Sequence, residues 1–338
     1  MAYTAIDDPE AYFQTKLYTG TGTSTAFTLD GDEDMQPDLV WLKYRNAADS
    51  HALYDSVRGT QEILQSDRTN AEISQDNGLS AFGSDGFTIG DNGQINTSSG
   101  LYVAWCWKES ATAGFDIVSY AGNGTDDTDI SHNLSAVPKM IIVKNRDAAD
   151  AWQVYHGANT SAPETDYMVL NTATATADAA DRWSDEAPTS SVFTLGDGAE
   201  VNTNTENYIA YCFAEKQGFS KFGTLDSINS DNGAFSYCGF KPALVILKSI
   251  DTTDGWSNWL MFDNKRNTYN LTDLELAANA TAAENDGGAN YAQIDLLSNG
   301  FKIRRDASWG YGKADETLIF MAFAEAPFVN SNGVPCNA

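Results

Sequence analysis

The phrase Pro37-Asp-Leu-Val-Trp-Leu-Lys43 decides the fold, because the same short apolar run occurs three times in the chain. It returns as Pro138-Lys-Met-Ile-Ile-Val-Lys144 and as Pro242-Ala-Leu-Val-Ile-Leu-Lys248. Self-similarity at a nearly fixed period is the signature of a repeated structural unit. The sequence therefore predicts three copies of one fold.

A second phrase closes each copy: Tyr102-Val-Ala-Trp-Cys106, Tyr208-Ile-Ala-Tyr-Cys212 and Leu318-Ile-Phe-Met-Ala322. These phrases place unit one at residues 15–110, unit two at 114–216 and unit three at 218–326, with an N-terminal arm at 1–14 and a C-terminal tail at 327–338. A period near one hundred residues far exceeds that of solenoids, so each unit is predicted to be a domain with its own core.

Within each unit the apolar runs are short and rich in Val, Ile, Tyr, Phe and Trp, with Gly, Asn, Asp, Ser and Thr between them. This pattern is typical of strands and turns. Seven or eight strands in about one hundred residues favour an antiparallel β-sandwich of the jelly-roll or lectin-like kind. The predicted fold is all-β, with three tandem antiparallel β-sandwich domains. The closing strand, apolar on both faces, is predicted to be central.

One local signal conflicts with this fold. Thr272-Asp-Leu-Glu275 is a capping box, which by itself predicts the start of a helix. The repeats favour a strand instead, because Leu276 occupies the same slot as Leu170 and Leu64 in the other units.

The charge balance excludes several functions. The 338 residues contain 20 Lys and Arg against 47 Asp and Glu, giving a net charge of −27 and a pI near 4.2. Such a surface repels nucleic acid and anionic membranes. No apolar run reaches the roughly 18 residues of a membrane span, and the acidic N-terminus does not resemble a signal peptide, so neither membrane insertion nor Sec export is expected.

Cysteines and glycines receive structural interpretations. Cys106 and Cys212 lie inside apolar runs and are predicted to be buried thiols rather than disulfide or metal ligands. The phrases Gly20-Thr-Gly22 and Gly122-Asn-Gly124 lack the Lys-Ser/Thr ending of a phosphate loop and are predicted to be hairpin turns.

Catalytic and metal-binding patterns are weak. His51, His132 and His156 are far apart and show no zinc spacing, although His51 and His156 occupy related slots in units one and two. We find no nucleophile elbow and no repeated carboxylate pair, so the chain is predicted to be a non-enzyme without catalytic residues or cofactors. The acidic clusters at 30–34 and 126–129 could bind Ca²⁺, but the favoured interpretation is solvated turn charge.

Aromatic residues make up 12% of the chain, and exposed rings could form platforms for sugars. Core packing is the commoner role of such rings. The candidates for glycan or partner contact are Trp152, Tyr155, Trp256, Trp259, Trp309 and Tyr311.

Several phrases resemble a repeated, uncharacterised virion structural protein family of marine tailed bacteriophages. They include Gly114-Phe-Asp-Ile-Val-Ser-Tyr-Ala-Gly-Asn-Gly-Thr125, Tyr208-Ile-Ala-Tyr-Cys-Phe-Ala-Glu215 and Phe262-Asp-Asn-Lys-Arg-Asn-Thr-Tyr-Asn270. The resemblance extends from Tyr12 to Phe328. It implies concanavalin-like sandwich domains and a tail-fibre, receptor-binding or head-decoration protein.

On that resemblance we expect a tail-associated appendage that contacts the host surface. Other virion proteins and a host glycan or receptor are the expected partners, and a homotrimer is the expected assembly. The protein would be made in the bacterial cytoplasm and released by lysis, which suits unpaired cysteines. The alternatives are a capsid decoration or adaptor protein, anchored through the N-terminal arm, and a capsule depolymerase.

Overall fold

The computed structural model describes residues 2–228, 230–252, 257–286, 293–304 and 316–336. The regular secondary structure of these residues is almost entirely antiparallel strand, which confirms the predicted all-β sandwich class. Each strand alternates its side chains between two faces, as the period-2 pattern requires.

Unit one contains nine strands and one short helix. They are β1 (Phe13–Thr19), β2 (Thr25–Thr28), β3 (Leu39–Tyr44), β4 (Ala52–Asp55), β5 (Glu62–Ile63), β6 (Ile73–Ser74), β7 (Leu79–Gly83), β8 (Gly86–Ile89), α1 (Gly93–Asn96) and β9 (Leu101–Trp107). A 3₁₀ turn at Pro9–Ala11 precedes them.

Unit two contains eight strands and two short helices. They are β10 (Phe115–Ala121), β11 (Thr128–Ser131), β12 (Met140–Asn145), β13 (Gln153–His156), β14 (Asp166–Val169), β15 (Ala177–Asp178), α2 (Ala180–Trp183), β16 (Val192–Leu195), α3 (Ala199–Asn202) and β17 (Asn207–Phe213). A second 3₁₀ turn lies at Pro163–Thr165.

Nine strands are described in unit three. They are β18 (Ser220–Asp226), β19 (Phe235–Tyr237), β20 (Phe240–Ser249), β21 (Leu260–Asp263), β22 (Leu274–Ala277), β23 (Asn285–Asp286), β24 (Ile294–Leu297), β25 (Gly300–Ile303) and β26 (Thr317–Pro327). The capping box therefore lies at the start of a strand, as the repeats predicted.

One strand order recurs in all three units. The large sheet runs β1-β9-β3-β4 in unit one, β10-β17-β12-β13-β14-β15 in unit two and β18-β26-β20-β21-β22-β23 in unit three. A small sheet accompanies each: β2-β8-β7, β11-β16 and β19-β25-β24. The closing strands β9, β17 and β26 are central, as predicted.

The large sheets are buried on both faces. In β3, Val40 and Leu42 pack into the sandwich core of unit one, whereas Leu39 and Trp41 point to the other side. That second side belongs to one apolar cluster that draws residues from all three units. We call this shared cluster the junction. The prediction of three separate domains did not anticipate it.

The glycine phrases connect the two sheets of a unit. Gly20 and Gly22 lie between β1 and β2, which do not pair with each other, so the prediction of a hairpin turn is wrong. Gly22 N donates to Asn96 O (2.9 Å), and Gly124 N makes the equivalent bond to Asn202 O (2.8 Å). The phrase therefore carries the chain across the edge of the sandwich.

The N-terminal segment packs on unit three. Tyr3 Oη donates to Gly239 O (2.9 Å), Ile6 is 4% exposed, and Asp7 accepts a hydrogen bond from Ser331 N (2.6 Å). Residues near both ends of the described chain are thus held against the same unit.

Candidate functional site

Three equivalent aromatic rings meet in the junction. Trp107, Phe213 and Phe323 hold matching positions on the closing strands, each opposite the third residue of the Pro-to-Lys phrase. Their ring centroids are 6.5 Å (Trp107–Phe213), 5.6 Å (Trp107–Phe323) and 5.9 Å (Phe213–Phe323) apart. The three units therefore surround a common centre, in the closed heterologous ring expected of approximate threefold symmetry.

A set of ring nitrogens joins each unit to the next. Strand register places His51, Trp152 and Trp259 at one equivalent position, and Gln65, Val169 and Ala277 at another. The hydrogen bonds are Trp152 Nε1 to Gln65 O (3.0 Å), Trp259 Nε1 to Val169 O (3.0 Å) and His51 Nε2 with Ala277 O (2.9 Å). Unit two thus contacts unit one, unit three contacts unit two, and unit one contacts unit three.

His51 is held as one neutral tautomer. Trp41 Nε1 donates to His51 Nδ1 (2.9 Å), so the ring proton lies on Nε2 and is donated to Ala277 O. Burial holds the pKa of His51 well below its usual value, with the nearby Lys43 charge adding to the effect. This imidazole therefore acts as a structural donor.

A buried charged network lies where unit one meets unit two. Arg58, whose side chain is fully buried, pairs with Asp55 and with Glu72 (3.0 Å). Glu72 also accepts two hydrogen bonds from Arg146 of unit two, at 2.7 and 3.0 Å. Tyr211 Oη donates to Asp55 (2.7 Å). Every charge in this network has an opposite partner, as buried charges require.

The same network recurs where unit three meets unit one. Arg266 pairs with Asp263 (2.6 Å) and with Glu284 (3.2 Å), and Glu284 accepts two hydrogen bonds from Arg45 at 2.8 and 2.9 Å. Trp105 Nε1 donates to Asp263 (3.1 Å), in the place of the Tyr211 hydroxyl.

We call each of the three unit-to-unit contacts a joint. At the remaining joint, between units two and three, the described residues at the positions of the Asp, Arg and Glu are uncharged. Strand register puts His156 where Asp55 and Asp263 lie, so the prediction that His51 and His156 share a slot is wrong. His156 Nδ1 accepts from Ala158 N, and Nε2 donates to Phe320 O (3.2 Å). Burial lowers the pKa of His156 to about 4.

Neutral partners complete this joint. Thr176 Oγ1 donates to Asn159 Oδ1 (2.7 Å), where the other joints have a glutamate–arginine pair. Thr176 N donates to Ile250 O (3.0 Å), matching Glu72 N to Arg146 O (2.8 Å). The backbone contact is kept while the charges are absent.

A protein family spans all three units. The family described as Domain of unknown function (DUF7483) matches residues 8–327. The chain belongs to this family. A comparison with curated proteins finds no match. The matched range includes the charged groups of the joints and extends over all three units, so the match is not to a single repeat.

Three of the predicted glycan-contact residues of this family member are buried. Trp152 is 0%, Tyr155 is 4% and Trp259 is 1% exposed. Trp152 and Trp259 join units, and Tyr155 packs 6.0 Å from Trp183 in the core of unit two. These rings offer no face to a sugar, so the structure corrects that part of the prediction. Trp256, Trp309 and Tyr311 lie outside the described residues, and their role stays a prediction.

The repeated lysines lie at the ends of buried strands. Lys43, Lys144 and Lys248 are at most 1% exposed. Lys43 Nζ donates to Tyr44 O (2.9 Å) and, across a joint, to Thr281 O (3.3 Å). Burial lowers the pKa of Lys43 and of Lys144 to about 8 in each case. These ammonium groups satisfy backbone carbonyls.

The cysteine thiols and the acidic clusters are the remaining groups whose chemistry could suit a metal ion. Cys106 and Cys212 are free and buried, as predicted. Asp126 accepts from Ser184 Oγ (2.8 Å) and Asp129 from Thr194 Oγ1 (2.9 Å). Within the described residues, no three His, Cys, Asp or Glu side chains are grouped to hold a metal ion. The same part of the chain contains no helix long and apolar enough to span a membrane.

Sequence reasoning missed the charged networks, although a signal for them was present. Asp55-Ser-Val-Arg58 and Asp263-Asn-Lys-Arg266 share an Asp-x-x-Arg pattern at matching places in units one and three. The buried acid accepts backbone hydrogen bonds from the turn and pairs with the arginine three residues later. Comparing the units for polar as well as apolar identities reveals it.

Proposed function

We propose that this chain is a non-enzymatic structural protein of a tailed phage particle, a tail-associated appendage that contacts the host surface. The observation that carries the proposal is the closed ring of three units. The buried and partly buried Asp, Arg, Glu and His side chains of the three joints make hydrogen bonds between or within units. Such joints build a rigid body that suits a particle component.

The surface and the sequence phrases support the same role. The net charge of −27 keeps a protein hydrated and separate in saline water, where dissolved ions screen its self-repulsion. The resemblance to marine phage virion proteins covers nearly the whole chain. Other virion proteins and a host glycan remain the proposed partners.

A second candidate is a capsid decoration or adaptor protein. The approximate threefold arrangement favours it, because one chain of this kind presents three similar surfaces to a threefold position in a shell. Its contacts would be broad and formed with protein.

Electron cryomicroscopy of the intact particle tests both candidates. We expect density for the three-unit ring at the tail or its fibres. Density distributed over the capsid lattice would support the decoration role. Absence of the chain from purified particles, checked by mass spectrometry, would overturn the structural role altogether.

A further inference from the structure

Unit three carries an open cavity that is lined by residues other than those of the charged networks. It has a volume of about 420 Å³ and lies beside the ends of β20 and β26, under the loop that joins β21 to β22. That loop has ten residues (264–273), whereas the matching loop of unit one has six (56–61). The volume is within the range of small-molecule sites, about 300–1,000 Å³.

Two residues that line the cavity have a buried side-chain oxygen whose hydrogen bond is unmade. Thr272 is 1% exposed, and its hydroxyl has no partner in the described part of the protein. Asn264 Oδ1 is also buried without a partner there. Both residues line the cavity. Because Asn264 Oδ1 can only accept a hydrogen bond, the missing partner must be a donor, such as a hydroxyl group.

An exposed aromatic ring lies at the same cavity. Tyr269 is 86% exposed, the highest value among the large hydrophobic side chains of the described residues. A ring exposed to this degree is free to stack against the apolar face of a ligand. A flat ring beside hydroxyl-seeking atoms suits a ligand that has both an apolar C–H face and hydroxyl groups.

The charges of the cavity favour a neutral ligand. Lys241 Nζ lies 2.8 Å from Glu325 Oε2, and Lys265 Nζ lies 3.9 Å from Glu10 Oε1. Each lysine therefore has a carboxylate nearby, which reduces the attraction of the site for phosphate or sulfate.

We propose that this cavity binds a neutral saccharide through one pyranose ring stacked on Tyr269, with hydroxyl groups reaching toward Asn264 and Thr272. The inference rests on the proposed host-contacting role for its biological meaning. Its test uses purified protein, so it can fail while the chain remains a particle component, and the particle experiment can fail while the cavity still binds sugar.

Ligand-observed NMR with the full chain tests the site. The probes are glucose, galactose and N-acetylglucosamine, with inorganic phosphate as the anionic comparison. All pyranoses have the C–H face and hydroxyl groups that the cavity would contact, so at least one should show saturable binding below about 10 mM.

Three variants locate the binding. Tyr269→Ala should weaken saccharide binding about three- to tenfold, and Thr272→Val should weaken it while leaving the thermal midpoint unchanged or higher, since it removes an unpartnered buried hydroxyl. Tyr237→Ala is the matched control, because Tyr237 is 53% exposed and lies outside the cavity. It should bind as the unmodified chain does.

The proposal is overturned if none of the three saccharides binds, or if phosphate binds in their place. It is also overturned if Tyr269→Ala binds as well as the Tyr237→Ala control.

Discussion

The joint between units two and three differs from the other two joints at three positions together, not at one position alone. Where two joints have an aspartate, an arginine and a glutamate, the third has His156, Asn159 and Thr176. A lone buried charge left by a single replacement would cost several kcal/mol. The matched change of all three positions avoids that cost, and it explains why the three units share a fold while their polar residues diverge.

Glu109 should make stability depend on pH. Burial, followed by a hydrogen bond to Asp116 and the charge of that residue, raises the pKa of Glu109 from 4.5 to about 7. In the unfolded chain this carboxyl ionises near pH 4.5, whereas in the folded chain it keeps its proton to about pH 7. The folded state therefore loses stability as pH rises from about 4.5 to 7, and the loss persists above pH 7.

The variant Glu109→Gln removes this dependence. We expect it to raise the free energy of unfolding at pH 8 by about 1 kcal/mol, a value discounted for solvent screening, and to have almost no effect at pH 4.5. Urea titrations at both pH values measure this. Glu33→Gln, at an exposed position, is the control. An equal effect of Glu109→Gln at both pH values would contradict the prediction.

At the scale of elements, the segment between β5 and β6 is joined to the end of β12 by the pair of Glu72 and Arg146. A double-mutant cycle with Glu72→Gln and Arg146→Met should give a coupling energy of about 1–3 kcal/mol, because the pair is bidentate and only 13% and 21% exposed. Chemical denaturation of the four proteins measures it.

The pair of Glu215 and Lys221 is the comparison for this cycle. It has a similar contact distance of 2.8 Å, but its side chains are 31% and 36% exposed. Its coupling should stay below about 1 kcal/mol. Equal coupling in the two cycles would mean that burial at the joint does not strengthen the ion pair.

The sequence predicted the strands well and their register less well. The phrases ending in Lys43, Lys144 and Lys248 are strands, since alternation and repetition agree there. The slot assigned to Leu170 belongs to Met168, which lies opposite Val154 as Leu276 lies opposite Met261. Loops of different length shift such offsets by one or two residues, and a shift of one residue exchanges the faces of a strand.

The site could not be predicted in the same way, because the junction exists only when all three units are assembled. Trp152 and Trp259 are aromatic, as a sugar platform requires, and each lies in the loop directly before a strand. Nothing within one unit indicates that a neighbouring unit supplies the carbonyl that each indole contacts. The aromatic content of a sequence predicts that apolar area is buried. It does not indicate whether a ring packs within its own unit or contacts a neighbouring one.

At the scale of the whole molecule, the ring already closes within one chain. Each large sheet uses its second face in the junction, so these apolar faces are covered within one chain and are not available to a second copy. We expect a mass near 36.6 kDa by size-exclusion chromatography with light scattering. A mass three times larger would instead support the homotrimer inferred from the phage resemblance.

The shared junction also determines how the molecule unfolds. A single unit would expose the outward face of its large sheet, including Phe213 in unit two, which is 2% exposed in the ring. We therefore expect one cooperative transition for the full chain by calorimetry and by denaturant. Phe213→Ala in the junction and Phe193→Ala in the core of unit two should each shift that one transition by about 3–5 kcal/mol.

Residues 114–216 expressed alone should bind a hydrophobic dye and lack a sharp transition, because the apolar face has lost its cover. A well-folded isolated unit, or separate transitions shifted by separate variants, would show instead that the three units are independent domains, as the repeat length alone predicts.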